Sequence, residues 1–374
     1  MTVRFDTKLV HSGQEAEPGT GDVVPPVHVA TTYDRYAQDP PRYFYARGEN
    51  PTREALERCL ASLEDARYAT VFSSGQAAAA AVLSLLSPGE RLVSSAGVYG
   101  GTYALFSTMD RYGIRVDYAD LTRPRPFPPD VRVVWVETPS NPLLTIVDVG
   151  ETARPAHERG AIVVVDNTFA SPALQLPLRL GADVSLYSTT KFVAGHADVL
   201  GGALVYSDAA LHEAFTRHRE LTGAVPGGLD CFLVHRGVKT LSLRVSRQVD
   251  SAGAIAAALA ESPDVAEVIY PGLPGHPQHP LARKQMSGPG SIISFRCLGD
   301  PEKLMAGTRL FTCAVSLGGV RSLIESPALM THRPMPRARR LAAGITDDLI
   351  RLSVGIEDPV DLIEDLTAAL EAGR

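Results

Sequence analysis

"VRVVWVETPSNPLLTIVDVGETARPAHERGAIVVVDN", residues 131–167, contains two near-continuous apolar, β-branched runs, 131–137 and 161–167, with a helical pattern over 148–159 between them. Runs of that composition are strands buried on both faces, and a helix connecting two of them is the crossover of a parallel sheet. Working outward, further strands are predicted at 69–74, 91–95, 114–120, 183–188 and 202–207, with helices at 54–65 and 75–86 among them. The alternation predicts an α/β fold with a mostly parallel sheet covered by helices on both faces. From about Cys231 the rhythm changes. One long amphipathic helical region to about residue 260 precedes strands at 265–270, 291–297, 312–317 and 350–355, the pattern of a smaller C-terminal α+β domain. The first 45 residues, rich in proline and aromatics and without a helical period, read as an arm that packs on another domain or subunit. The chain is thus expected to divide at 1–45, 46–230 and 231–374.

Composition narrows the classes of function. With 374 residues the chain can bury a large core, and 45% hydrophobic with 21% charged residues is ordinary for a soluble protein. A net charge of −6 offers nothing to nucleic acid or to an anionic membrane. No apolar run reaches spanning length, and "MTVRFDTKLVHSGQ" lacks the apolar stretch of a signal peptide, so a cytoplasmic location is expected. Cys59, Cys231, Cys297 and Cys313 form no C-x-x-C pair, which predicts four reduced core thiols and no metal site.

In an open parallel sheet, ligands bind beyond the carboxyl ends of the strands. The polar residues at these ends are Ser73, Ser74 and Gly75; Glu137 to Asn141; Asp166 and Asn167; and Ser188 to Lys191. "SSGQAAAA" puts two serines and a glycine at a helix start, which suits either a plain N-cap or a phosphate. Asp166 ends a buried strand with a carboxylate, which must pair with an arginine or hold a proton on a heteroaromatic nitrogen. Lys191, among small residues in "SLYSTTKFVAGHADVLGG", can be desolvated there and form an imine with an aldehyde. Phosphate cradle, buried carboxylate and imine-forming lysine together match the three polar ends of pyridoxal phosphate. Ser188 to Lys191 also spells S-x-x-K, but its companion motifs are missing. His196 is given no catalytic role.

At this point the chain resembles the Cys/Met-metabolism pyridoxal-phosphate enzymes, the family of cystathionine γ-synthase, cystathionine γ-lyase, methionine γ-lyase and homoserine-ester sulfhydrylases. The resemblance runs nearly end to end, through "YARGENPTREALE", "FSSGQAA", "VYGGTY", "ETPSNP", "VVDNTF", "STTKFVAGHADVLGG", "SLGGVRSLIESPALMTH" and "IRLSVGIED". It implies the fold-type I transferase architecture, with pyridoxal 5'-phosphate as cofactor. It implies that Lys191 carries the cofactor as an imine, that Asp166 partners the ring nitrogen, and that Tyr99 stacks on the ring and serves as acid or base at the leaving sulfur. By the same resemblance Ser74, Gly75, Gln76, Ser188 and Thr190 bind the phosphate, and Asn141 sits near the ring hydroxyl. Arg351 with Ser316 holds the substrate carboxylate. Tyr45 and Arg47 match a pair that reaches the cofactor phosphate of a neighbouring subunit, which implies a homotetramer of two dimers with shared sites.

The resemblance also frames the reaction: protons leave Cα and Cβ, the γ substituent departs as a thiol, and hydrolysis gives 2-oxobutanoate and ammonia. Three positions bear on the substrate. Val315 stands where cystathionine-handling members usually have glutamate, and an apolar wall suits a methyl thioether. Gly101 replaces a cysteine familiar from bacterial methionine γ-lyases. Arg321 departs from "GGVESL", either as a surface charge swap or as an altered tunnel. A sulfur amino acid γ-lyase preferring methionine-like substrates is expected, with cystathionine γ-lyase or γ-replacement activity as the alternative and a catalytically silent cofactor-binding homologue as a remote one.

Overall fold

The computed structural model describes residues 3–16, 19–37, 42–123, 125–333 and 335–374. Seven strands, β1 (Tyr68–Phe72), β2 (Arg91–Ser95), β3 (Arg115–Ala119), β4 (Val131–Glu137), β5 (Ile162–Asp166), β6 (Val184–Tyr187) and β7 (Gly202–Tyr206), form one sheet in the order β1-β7-β6-β5-β4-β2-β3. From β3 to β6 every neighbour is parallel, and β7 runs antiparallel to both β6 and β1. The apolar run of β4 serves two layers at once. Val133 and Trp135 pack into the cluster beneath the helix Gly75–Leu83, while Val134 and Val136 enter the opposite cluster with Val149 and Ala153. Successive side chains of a strand point to opposite faces, so a strand covered on both sides cannot alternate apolar with polar.

A second sheet, β10-β11-β12-β9-β8, contains β8 (Val265–Ile269), β9 (Ile292–Cys297), β10 (Thr312–Cys313), β11 (Leu323–Glu325) and β12 (Leu349–Ser353). It packs on the helices Leu241–Glu261, Pro301–Gly307 and Pro359–Ala372. The helix Leu241–Glu261 joins the two cores: Leu241 and Val245 belong to the first, and Ala252, Ile255 and Leu259 to the second. Gln285 adds a polar tie by accepting from the Val149 amide and donating to the Val147 carbonyl, both at 3.0 Å. No helix among the described residues is long and apolar enough to cross a membrane.

Several expectations are corrected. The single helical region from Cys231 is two helices, Gly228–Val238 and Leu241–Glu261. The break follows Gly237, which packs so closely that a β-carbon there would lie 2.1 Å from the Ala194 carbonyl. The boundary expected at residue 231 therefore falls inside a helix whose Cys231 and Val234 pack in the first core. The strand expected over 312–317 stops at Cys313, and Ser316 beyond it adopts φ 100°, a backbone outside the extended region. The arm is not without helix, since Phe5–His11 forms one. Cys313 is exposed on the short edge strand β10, unlike the other three thiols.

Behind the first sheet, Glu64 is a buried carboxylate that accepts from the Tyr187 hydroxyl. Burial pushes it up to about 7 despite that bond. A carboxyl whose folded value lies above its unfolded value of about 4.5 costs stability as pH rises between the two. Glu64→Gln should therefore gain stability relative to the parent as pH rises from about 5 to about 8, on the order of 1–3 kcal/mol. Urea unfolding midpoints of both proteins across that range check this; a pH-independent difference would contradict it.

Candidate active site

The parallel register sets Glu137 beside Asp166 at the carboxyl ends of β4 and β5. Above them opens a cavity of about 270 Å³ lined by Ser74, Gly75, Gln76, Tyr99, Asn141, Asp166, Ser188, Thr190, Lys191, Val315, Ser316 and Arg351. Twelve of the fourteen residues singled out from the sequence thus meet in one place. Tyr45 and Arg47 do not; they stack on each other, with the guanidinium 5.4 Å from the ring centroid, and are exposed on the arm. Val315 is more than half exposed, so it forms the rim of the cavity rather than a buried wall.

Each wall has a local cause. Ser74 caps the helix Gly75–Leu83 by accepting from the Ala77 amide, which leaves the amides of Gly75 and Gln76 as first-turn donors without a carbonyl of their own helix to reach. A β-carbon on Gly75 would lie 3.0 Å from Ser188 Cβ, and one on Gly202 only 2.2 Å from the Ser74 carbonyl. Only glycine lets these three loops close into a cradle, and a helix start of this kind favours an anion. The Thr190 hydroxyl bridges to Gly201, accepting from its amide at 2.9 Å and donating to its carbonyl at 3.2 Å.

The floor is acidic. Burial raises Asp166, while its hydrogen bonds from Thr168 work against that rise. Glu137, raised well above the usual carboxylate range by burial and by Asp166, accepts from the amides of Tyr99 at 2.8 Å and Asn141 at 2.9 Å. No cation among the described residues forms an ion pair with either carboxylate. A protonated ring nitrogen would supply the missing positive charge.

Lys191 donates to Ser316 Oγ at 2.7 Å, and burial, helped by the nearby Arg351 charge, lowers its amine to about 8. Arg351 donates from Nη1 to Asn141 Oδ1 at 2.9 Å and from Nη2 to the Ser316 carbonyl at 2.8 Å. The amide oxygen of Asn141 is therefore engaged with Arg351. Gly101, where a cysteine was noted as missing, leaves space for Tyr99: a β-carbon there would lie 2.5 Å from Tyr99 Cε1. His196 is exposed and shares a hydrogen bond with the Ala194 carbonyl.

Residues 6–371 match the model of the Cys/Met metabolism PLP-dependent enzymes. The chain belongs to that family. It is 64% identical to a protein of Micromonospora echinospora, CalE6, in two solved structures. One is described as a cystathionine γ-lyase (TM-score 0.97, covering 99% of this chain and 100% of that one), the other as a methionine γ-lyase (TM-score 0.94, 98% and 99%). A cystathionine β-lyase of Coxiella burnetii is 45% identical over 98% of this chain and 97% of its own length. A cystathionine γ-synthase of Mycobacterium bovis is 46% identical over 97% and 96%. The family's cofactor is pyridoxal phosphate, and the cradle, the acidic floor and the neutral-prone lysine suit its phosphate, ring nitrogen and aldehyde.

Residue types alone had left some parts of the site without a role. Glu137 ends a buried strand just as Asp166 does, so the same reasoning reaches it. Phe169, with Arg351 6.0 Å from its ring centroid, and Thr331, which also lines the cavity, sit in loops that carry no periodic signal.

Because only the neutral amine attacks an aldehyde, capture of pyridoxal phosphate by cofactor-free enzyme should accelerate as pH rises to about 8 and level off above it. Visible absorbance of the bound cofactor, followed after mixing, reads this. A rate still climbing well above that pH would mean that Lys191 is not desolvated.

Proposed function

We propose that this enzyme cleaves the Cγ–S bond of a sulfur amino acid by α,γ-elimination, preferring a methionine-like side chain and releasing 2-oxobutanoate, ammonia and a thiol. The observation that carries the preference is the rim of the cavity. Val315 and Leu200 face the space outside Lys191, and the only carboxylates among the described lining residues are Glu137 and Asp166, on the floor. A thioether meets apolar surface there, whereas the distal ammonium of cystathionine finds no counter-charge.

Pyridoxal phosphate, when bound, supplies the aldehyde that takes the substrate amine and the ring that withdraws electrons from Cα. Ser74, Gly75, Gln76 and Ser188 would hold its phosphate, and Asp166 would keep its ring nitrogen protonated. Arg351, fixed by Asn141 and the Ser316 carbonyl, orients the substrate carboxylate, a task suited to a planar fork of donors. Lys191 Nζ, aimed by Ser316 Oγ, takes the proton from Cα and, once it has given that proton up and is neutral again, takes one from Cβ. Tyr99, at the start of the helix Gly100–Phe106 and anchored through its amide on Glu137, gives a proton to the departing sulfur. Tyr45 and Arg47, exposed on the arm, would complete the phosphate site of a neighbouring copy in a homotetramer.

A second reading, γ-cleavage of cystathionine or a γ replacement on an activated homoserine that forms it, draws on the names borne by the curated relatives and on the exposed rim, which leaves room for a longer side chain. Equal concentrations of methionine and cystathionine, with 2-oxobutanoate, methanethiol and cysteine measured together, separate the two. Methanethiol should exceed cysteine, and Val315→Glu should shift the ratio toward cysteine by about tenfold, the worth of one ionic contact in a specificity site. Cysteine in excess from the parent would establish cystathionine cleavage, and neither thiol would point to γ replacement on an activated homoserine.

A further inference from the structure

Arg351 has a companion to which the mechanism assigns no task. Strand β11 runs antiparallel to β12 with Glu325 directly opposite Arg351, so the two side chains share one face of the second sheet. Glu325 Oε1 lies 2.9 Å from Arg351 Nη2, and the side chains are only 1% and 2% exposed. Thr331 Oγ1 donates to the same oxygen at 2.8 Å. Glu325 Oε2 and Arg351 Nε have no hydrogen-bond partner among the described residues. Guanidinium and carboxylate commonly close as a fork of two parallel bonds. Here the two groups touch through Oε1 and Nη2 only, while Oε2 and Nε, the atoms of the second bond, are unengaged.

We propose that Glu325 is a positioning residue that sets how tightly Arg351 takes the carboxylate of the substrate, by competing with it for one guanidinium. The inference rests on the reading of Arg351 as the substrate-carboxylate site. Two carboxylates on one buried cation repel each other where water cannot screen them, so the internal one weakens the hold on the incoming one and keeps binding reversible. The orientation of Arg351 does not depend on Glu325, because Asn141 Oδ1 and the Ser316 carbonyl, both neutral, accept from its two terminal nitrogens. Removing the charge of Glu325 while keeping its shape therefore leaves an aimed guanidinium without a counter-ion, which favours any anion that reaches it. Thr331 sets the opposite bias. Its hydroxyl holds Oε1, and without it Glu325 is free to fork fully onto Arg351.

The test compares alanine with ethylamine, the same aliphatic amine with and without a carboxylate, titrated against cofactor-loaded parent, Glu325→Gln and Thr331→Val and read by the absorbance of the cofactor. Glu325→Gln should bind alanine roughly tenfold more tightly and ethylamine unchanged, and Thr331→Val should bind alanine more weakly. Alanine binding unchanged or weakened in Glu325→Gln, or an equal shift for both ligands, overturns the proposal. If the parent binds alanine no better than ethylamine, the reading of Arg351 falls and this inference with it. If Glu325→Gln does not fold, Thr331→Val decides: alanine affinity that is unchanged or increased is the overturning result.

Discussion

Two carboxylates end adjacent parallel strands with no cation among the described residues in an ion pair with either, and the rest of the site is arranged around that constraint. The register that pairs Glu137 with Asp166 follows from the packing of β4 and β5, whose apolar residues fill two layers at once. A slip of one residue would turn both carboxylates to other faces and reverse every core contact of the strand. Burial makes the pair costly, and the backbone offsets part of that cost. Glu137 gathers the amides of Tyr99 and Asn141, and Asp166 that of Thr168. The loops after β2, β4 and β5 are thereby anchored to the acidic floor, so that the groups lining the cavity are positioned by the groups that most need compensation.

Arg351 links the second sheet to this floor. Arg351 on β12 extends to Asn141, in the loop after β4, and to Ser316, which in turn receives the Lys191 amine. Lysine, serine, arginine and asparagine form one chain of contacts from the end of β6 across to β4. A buried guanidinium is tolerated because two neutral acceptors, Asn141 Oδ1 and the Ser316 carbonyl, and one counter-ion, Glu325, surround it. Burial lowers Arg351 and raises Glu325, and their mutual attraction opposes both shifts. Each is the other's chief electrostatic compensation.

How much of this could be read from sequence depended on whether a feature was local. The apolar runs at 131–137 and 161–167 announced a doubly covered sheet because burial on both faces leaves its mark on every residue of a strand. Lys191 and Asp166 were legible because a charge at the end of such a run needs a reason. The three-residue β11 is too short to show any alternation, so Glu325 gave no sign that it faces Arg351. The break at Lys239 and Thr240 was hidden for a different reason: neither residue is a glycine or proline, and Gly237 before it is explained by its close approach to Ala194, a contact between distant parts of the chain. Tyr45 and Arg47 show the limit from the other side, since their motif is plain in the sequence while the structure places both away from this chain's cavity.

Ser316 brings these levels together. Its φ of 100° is a strained backbone for a residue with a side chain, of the order of 1–3 kcal/mol, and nothing within "CAVSLGG" relieves it. The strain is held by contacts from elsewhere: Arg351 grips the carbonyl, Lys191 grips the hydroxyl, and Gly318, at φ 77°, donates its amide to Ser353 Oγ at 2.8 Å. An extended Ser316 would continue the strand expected over 312–317 and could not present its carbonyl and hydroxyl to the two cations at once. The strand that the sequence promised ends at Cys313, three residues before Ser316, and the mismatch between local preference and final conformation falls where the chain turns into the site.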